Sequence, residues 1–79
     1  MMSNEQALSL VSVWLGRARE KHPEYASGTM EAFSVVCEEF FEFKRAIDQE
    51  SPERQREEAL DIVVTALRFV IGEHEKDAR

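Results

Sequence analysis

The stretch Glu38–Arg68 reads EEFFEFKRAIDQESPERQREEALDIVVTALR. It contains two short acidic motifs, Glu39-x-x-Glu42 and Glu58-x-x-Asp61, on either side of Glu50-Ser51-Pro52. Serine followed by proline is a strong start signal for a helix, so the motifs fall on two separate helices joined by a short turn. Residues three apart are neighbours on one helical face, with Cβ atoms roughly 5–6 Å apart. Each motif therefore sets two carboxylates side by side. If the two helices pack antiparallel, all four converge. Hard divalent cations such as Mg²⁺ favour oxygen ligands of this kind.

The phenylalanines among the acids set the facing. Phe33, Val36, Phe40, Phe43 and Ile47 recur at three and four, which predicts the buried stripe of the second helix, with Cys37 and Phe41 broadening it. On a wheel of about 100° per residue, Glu39 lies about 40° from Phe43, at the edge of that stripe. Glu38 lies about 100° further away and is expected to be solvated. In the third helix Ala59, Leu60, Ile62, Val63, Ala66, Leu67, Val70 and Ile71 cover more than half the circumference. Glu58, Asp61, Thr65 and Arg68 share the remaining strip, about 80° wide. A helix apolar over so wide an arc is usually buried on several sides. Two other short helices cannot easily cover it, so a partner subunit is expected.

Outward from this pair, Ser3 and Gln6 have capping-box spacing and open a first helix. Ala7, Leu10, Val11, Trp14 and Ala18 form its apolar stripe, widened by Leu8 and Leu15. Pro23 disfavours helical geometry at His22 and ends it near Lys21. His22–Gly28 is a loop carrying the single tyrosine, Tyr25, and Thr29 is the expected N-cap of the second helix. The predicted helices span about residues 3–21, 30–50 and 52–74, with a weak point at Gly72. The charged tail Glu73–Arg79 is expected to fray.

With 79 residues the chain is one small domain. Such a core seldom supplies more than roughly 3–5 kcal/mol, and the single cysteine, Cys37, offers no disulfide. Oligomerisation is the expected remedy, with bound metal as a second contributor. The net charge of −6 argues against non-specific nucleic-acid binding, which requires a basic surface, and against a helix lying on a membrane surface. No apolar run approaches the roughly 20 residues of a membrane span, and the N-terminus does not read as a signal peptide. A lone thiol fits a reducing cytoplasm.

Two readings of the acidic pairs stand side by side. Glutamates are common on exposed helix faces, and a third of this chain is charged. Against that, carboxylates held close together at a core edge repel one another unless protonated or bound to a cation. Other chemistries find less support. Di-iron bundles use Glu-x-x-His pairs, zinc sites use clustered Cys and His, and neither occurs here. Cys37 lies on an apolar stripe without a histidine nearby, so packing is its simpler role.

The order Glu38-Glu39-Phe40-Phe41-Glu42 followed by Glu58-Ala59-Leu60-Asp61 resembles the ExxE…ExxD signature of the MazG-like all-α nucleoside triphosphate pyrophosphohydrolases. The flanks HPEYASGTMEAFSVVCEEFFEFKRAI and EALDIVVTALRFV are similar to small bacterial and phage members, over about Lys21–Glu73. The expected fold is all-α, with three helices per protomer, the second and third an antiparallel pair, and a bundle completed by a homodimer or a dimer of dimers. The resemblance implies Mg²⁺, or Mn²⁺, held by Glu39, Glu42, Glu58 and Asp61. It implies cleavage of a nucleoside triphosphate, dNTP or NTP, between the α and β phosphates, giving monophosphate and pyrophosphate in a nucleotide-pool housecleaning role. Beside the motif, Glu38 is a candidate catalytic base and Arg68 a candidate phosphate contact. Members usually carry a further helix after the ExxD helix, for which 79 residues leave little length. The alternative reading is a non-catalytic helical dimer, serving as a protein-interaction or nucleotide-sensing module.

Overall fold

The computed structural model describes residues 1–75. They form three helices, α1 (Asn4–Lys21), α2 (Thr29–Gln49) and α3 (Pro52–Ile71), with no strand among the described residues. The protein is all-α, and among the described residues no helix is long and apolar enough to cross a membrane.

Local chemistry explains the boundaries. The Ser3 hydroxyl accepts from the Gln6 N–H at 3.1 Å, and the Gln6 side chain accepts from the Ser3 N–H at 2.8 Å. This reciprocal pair satisfies two of the donors left over at a helix start. At α2 the expectation of Thr29 as cap is corrected by one residue. Gly28 occupies the cap position and makes no side-chain bond, while Glu31 takes the Ser27 N–H at 2.8 Å. Ser51 caps α3 through the Arg54 N–H, with Pro52 next in line. Gln55 then reaches back to the Glu50 carbonyl, which the end of α2 leaves open, and adds a second bond to the Ala46 carbonyl, which already accepts the Glu50 N–H.

The third helix stops at Ile71, three residues short of the expected His74. Gly72 takes the left-handed conformation, φ 94°. The Glu73 N–H closes on the Arg68 carbonyl and the Gly72 N–H on Phe69, a Schellman-type ending. This turn carries Glu73 back between Arg19 of α1 and Arg68 of α3. His74 is buried and stacks on Phe69 with ring centroids 4.1 Å apart. The start of the tail is thus held in place rather than frayed, and the tail beyond residue 75 lies outside the described residues.

The arrangement turns on α3. Both α1 and α2 pack on it and not on each other. The molecule measures 40 × 28 × 18 Å, and its short dimension is less than two helix diameters of about 10–12 Å. Few side chains can be covered in so thin a body. The buried apolar residues are Tyr25, Ala26, Ala32, Ala46 and Val64. Tyr25 is fixed from two sides: its hydroxyl donates to the Thr65 carbonyl at 2.8 Å, and the Arg68 guanidinium lies 4.9 Å from its ring.

The predicted stripe of α2 is covered only in part within the chain: Val36, Cys37 and Phe43 are half-buried. Phe33, Phe40 and Ile47 are exposed, as is Phe41 at 76%. The buried residues of α2 are instead Ala32 and Ala46, whose short side chains permit close approach. On α3, Val63, Val70 and Ile71 are also exposed. The periodicity correctly marked apolar faces. It could not say which of them a neighbour within the chain would cover.

The conformation of Gly72 gives a direct expectation. Gly72→Ala forces a Cβ into left-handed geometry and should lower stability by about 1–2 kcal/mol. Gly72→Asn should cost less, because asparagine tolerates that region. Urea unfolding followed by circular dichroism at one fixed protein concentration compares the two.

Candidate metal centre

Because α1 and α2 do not meet, a groove of about 910 Å³ runs between them with α3 as its floor. Small-molecule sites commonly measure about 300–1,000 Å³. Trp14, Arg17 and Lys21 line it from α1, and Val35, Glu38 and Glu39 from α2. Glu58, Asp61, Thr65 and Arg68 line the floor, so the narrow polar strip of α3 is the surface the groove exposes.

Three carboxylates meet there. One oxygen from each of Glu39, Glu58 and Asp61 lies within 4.8 Å of the other two. The i,i+3 spacing puts Glu58 and Asp61 on one face of α3, and Glu39 faces them from α2. The donor set is entirely oxygen, which suits Mg²⁺ or Mn²⁺ and gives no reason to expect zinc.

Each carboxylate carries the crowding differently. Burial, then the charges of Asp61, Glu58, Glu42 and Glu38, push the Glu39 carboxyl up to about 7. Burial and Asp61 also raise Glu58, opposed by Arg54, which bonds it at 2.6 Å. Asp61 accepts the indole N–H of Trp14 at 2.8 Å, and its backbone carbonyl accepts the Thr65 hydroxyl at 2.5 Å.

The remaining sequence candidates lie around this centre. Glu42 was expected beside Glu39 as a fourth ligand. Its carboxylate pairs with Arg45 and is not one of the three that converge. It stands one turn along α2, near enough for its charge to raise Glu39. Glu38 is exposed, as the wheel expected, yet it lines the groove. Arg68 is 4% exposed, bonds Glu73 at 2.6 Å and also lines the groove. Burial alone would push the Glu73 carboxyl up. Its hydrogen bonds from Arg19 and Arg68 outweigh that and hold it below the usual carboxylate range.

Two participants escaped the sequence reading. Arg54 sits four residues before Glu58, a spacing that signals an i,i+4 pair. Trp14 is 47 residues from Asp61, and nothing local in the sequence links them.

The raised Glu39 carboxyl has a defined sign. The folded protein binds this proton more tightly than the unfolded chain, whose value is near 4.5. The associated stability is complete below about pH 4.5 and is lost as pH rises through about 7. Glu73 acts oppositely: its stabilisation is lost as pH falls below about 4.5, outside that window. With chelator present, the melting temperature should fall between pH 5 and pH 8. Glu39→Gln should flatten that slope, and Mg²⁺ at pH 8 should restore the loss in the native sequence. Thermal unfolding with EDTA or Mg²⁺ across this range measures all three. Compared with protein-family models, with curated proteins and with solved structures, the chain matches none.

Proposed function

We propose that this protein is a Mg²⁺-dependent nucleoside triphosphate pyrophosphohydrolase, with Mn²⁺ as an alternative metal. The observation that carries the reading is the convergence of Glu39, Glu58 and Asp61 on the floor of a groove of nucleotide size. The resemblance of Glu38–Glu42 and Glu58–Asp61 to the ExxE…ExxD signature supplies the reaction class.

In this reading Glu39, Glu58 and Asp61 hold the metal, and Glu42 joins them by leaving Arg45. A bound Mg²⁺ supplies polarised phosphoryl oxygens and a more acidic water. Glu38, on the groove wall, takes the proton of the attacking water. That water forms a new O–P bond at the α phosphorus while the α–β bridging bond breaks. The products are a nucleoside monophosphate and pyrophosphate. Arg68 contacts a phosphate by exchanging Glu73 for a phosphoryl oxygen, one anionic acceptor for another. Removal of noncanonical or surplus dNTPs in a reducing cytoplasm is the role this activity serves.

The proposed assembly is a homodimer or a dimer of dimers, built on an antiparallel α2/α3 pair. Gln55 reaches the Ala46 carbonyl, and Glu39 meets Glu58 and Asp61. The pairings therefore advance along one helix as they retreat along the other. Exposed Phe33, Phe40 and Ile47 recur every seven residues, as do Val63 and Val70, a spacing suited to a helical seam. Burying each large apolar side chain contributes about 1.5–3 kcal/mol, which a domain of this size needs.

Incubation with a panel of dNTPs and NTPs in Mg²⁺ should release monophosphate and pyrophosphate. Orthophosphate alone would contradict α–β cleavage. No turnover, with no thermal shift on adding Mg²⁺ or Mn²⁺, would favour the non-catalytic helical dimer. Glu58→Gln should reduce turnover by at least about 100-fold, the scale on which charge-stabilising groups act, while helicity is retained. Sedimentation equilibrium should give a dimer or tetramer, and Phe40→Asp should shift it towards monomer.

A further inference from the structure

We infer that Trp14 is a positioning residue, whose indole N–H holds the Asp61 carboxylate in the orientation in which it meets the cation. The inference rests on the reading of Glu39, Glu58 and Asp61 as a cation site. It adds a residue of α1 to a centre otherwise built from α2 and α3.

The bond joins two helices, with 47 residues of chain between donor and acceptor, at 2.8 Å. The indole is itself held. The Arg17 guanidinium lies over its ring, 5.1 Å from the centroid, one turn along the same helix. Thr65 bonds the backbone carbonyl of Asp61 rather than its carboxylate, so it anchors the helix turn and leaves the acid group to Trp14.

The chemistry of the donor matters. A carboxylate has about four acceptor positions, and one indole N–H occupies one of them. The indole is neutral, so it orients Asp61 without supplying the positive charge that a cation would bring. Glu58 is in the opposite situation: Arg54, a competing cation, sits on it at 2.6 Å. Partners that orient a ligating carboxylate typically change metal affinity by about 10- to 100-fold when removed.

Mn²⁺ titration followed by electron paramagnetic resonance tests this. Trp14→Phe, which keeps an aromatic ring and loses the N–H, should weaken Mn²⁺ binding by about 10- to 100-fold with helicity retained. Arg19→Ala removes a second polar tie of α1, the Arg19–Glu73 pair just beyond α3, and should leave Mn²⁺ affinity unchanged. In the native protein, the resonance of the single indole N–H should move on adding Mg²⁺ and saturate with the site. If native protein binds Mn²⁺ and Trp14→Phe binds it equally well, the positioning role is wrong and the cation site stands. If Arg19→Ala weakens binding as much as Trp14→Phe, the loss reflects a loosened α1, and the positioning role is again wrong. If native protein binds no Mn²⁺, both the site and the positioning role fall. Should Trp14→Phe not fold, the native resonance decides: an indole signal unmoved at saturating Mg²⁺ overturns the inference.

Discussion

Like charges repel, and this fold brings three carboxylates within 4.8 Å of one another. Two unit charges about 4 Å apart near a protein surface interact by about 4 kcal/mol. The core of so small a domain supplies roughly 3–5 kcal/mol in all. The cluster is therefore relieved group by group. Glu39 keeps its proton until about pH 7, Glu58 has Arg54, and Asp61 has a neutral donor in Trp14. A divalent cation would relieve all three at once, and the proton on Glu39 would leave as it bound.

That crowding depends on how closely α2 approaches α3. Ala32 and Ala46 are the buried residues of α2, Ala32 among Tyr25 and Ala26, and the two-residue connection at Glu50 and Ser51 keeps the helices adjacent. The groove has a different origin: α1 and α2 both use α3 as a neighbour and leave a gap above it. A set of polar ties joins the loop after α1, α3 and the turn beyond it. Tyr25 bonds the Thr65 carbonyl, Arg68 lies over Tyr25, and Glu73 bridges Arg68 to Arg19. The left-handed turn at Gly72 aims Glu73 at both arginines. A helix ending thus holds Arg68, the groove-lining arginine proposed to meet phosphate.

The thinness of the protomer links this site to the proposed assembly. A body 18 Å across leaves Phe33, Phe40 and Phe41 on α2 and Val63 and Val70 on α3 uncovered. The face of α2 that carries Glu39 to the cluster also holds the buried Ala32 and Ala46, and the larger apolar side chains Phe33, Phe40 and Phe41 are exposed. Site formation and exposed apolar surface are two consequences of one choice of face. A second copy covering those side chains would stabilise the pair on which the carboxylates sit.

Much of this was legible along the chain, because the signals are local. Ser3 with Gln6 and Ser51 with Pro52 mark helix starts through bonds made within one turn. The spacing Glu58-x-x-Asp61 places two acids on one face for any helix. Gly72 reads only as a weak point in a helix running to His74, because its left-handed turn is fixed by contacts that Glu73 makes with Arg19 and His74 with Phe69. The choice among several apolar faces was not local. Phe33, Phe40 and Phe41 have the larger apolar area, yet Ala32 and Ala46 are the buried residues of α2, since which face is covered is decided by both partners together. Glu42 illustrates the same limit: its spacing from Glu39 places it one turn along α2 but does not bring its carboxylate into the cluster of three, and it pairs with Arg45. The bond from Trp14 to Asp61 belongs wholly to the tertiary structure. It requires two helices 47 residues apart to lie side by side, and periodicity within either helix carries no information about the other.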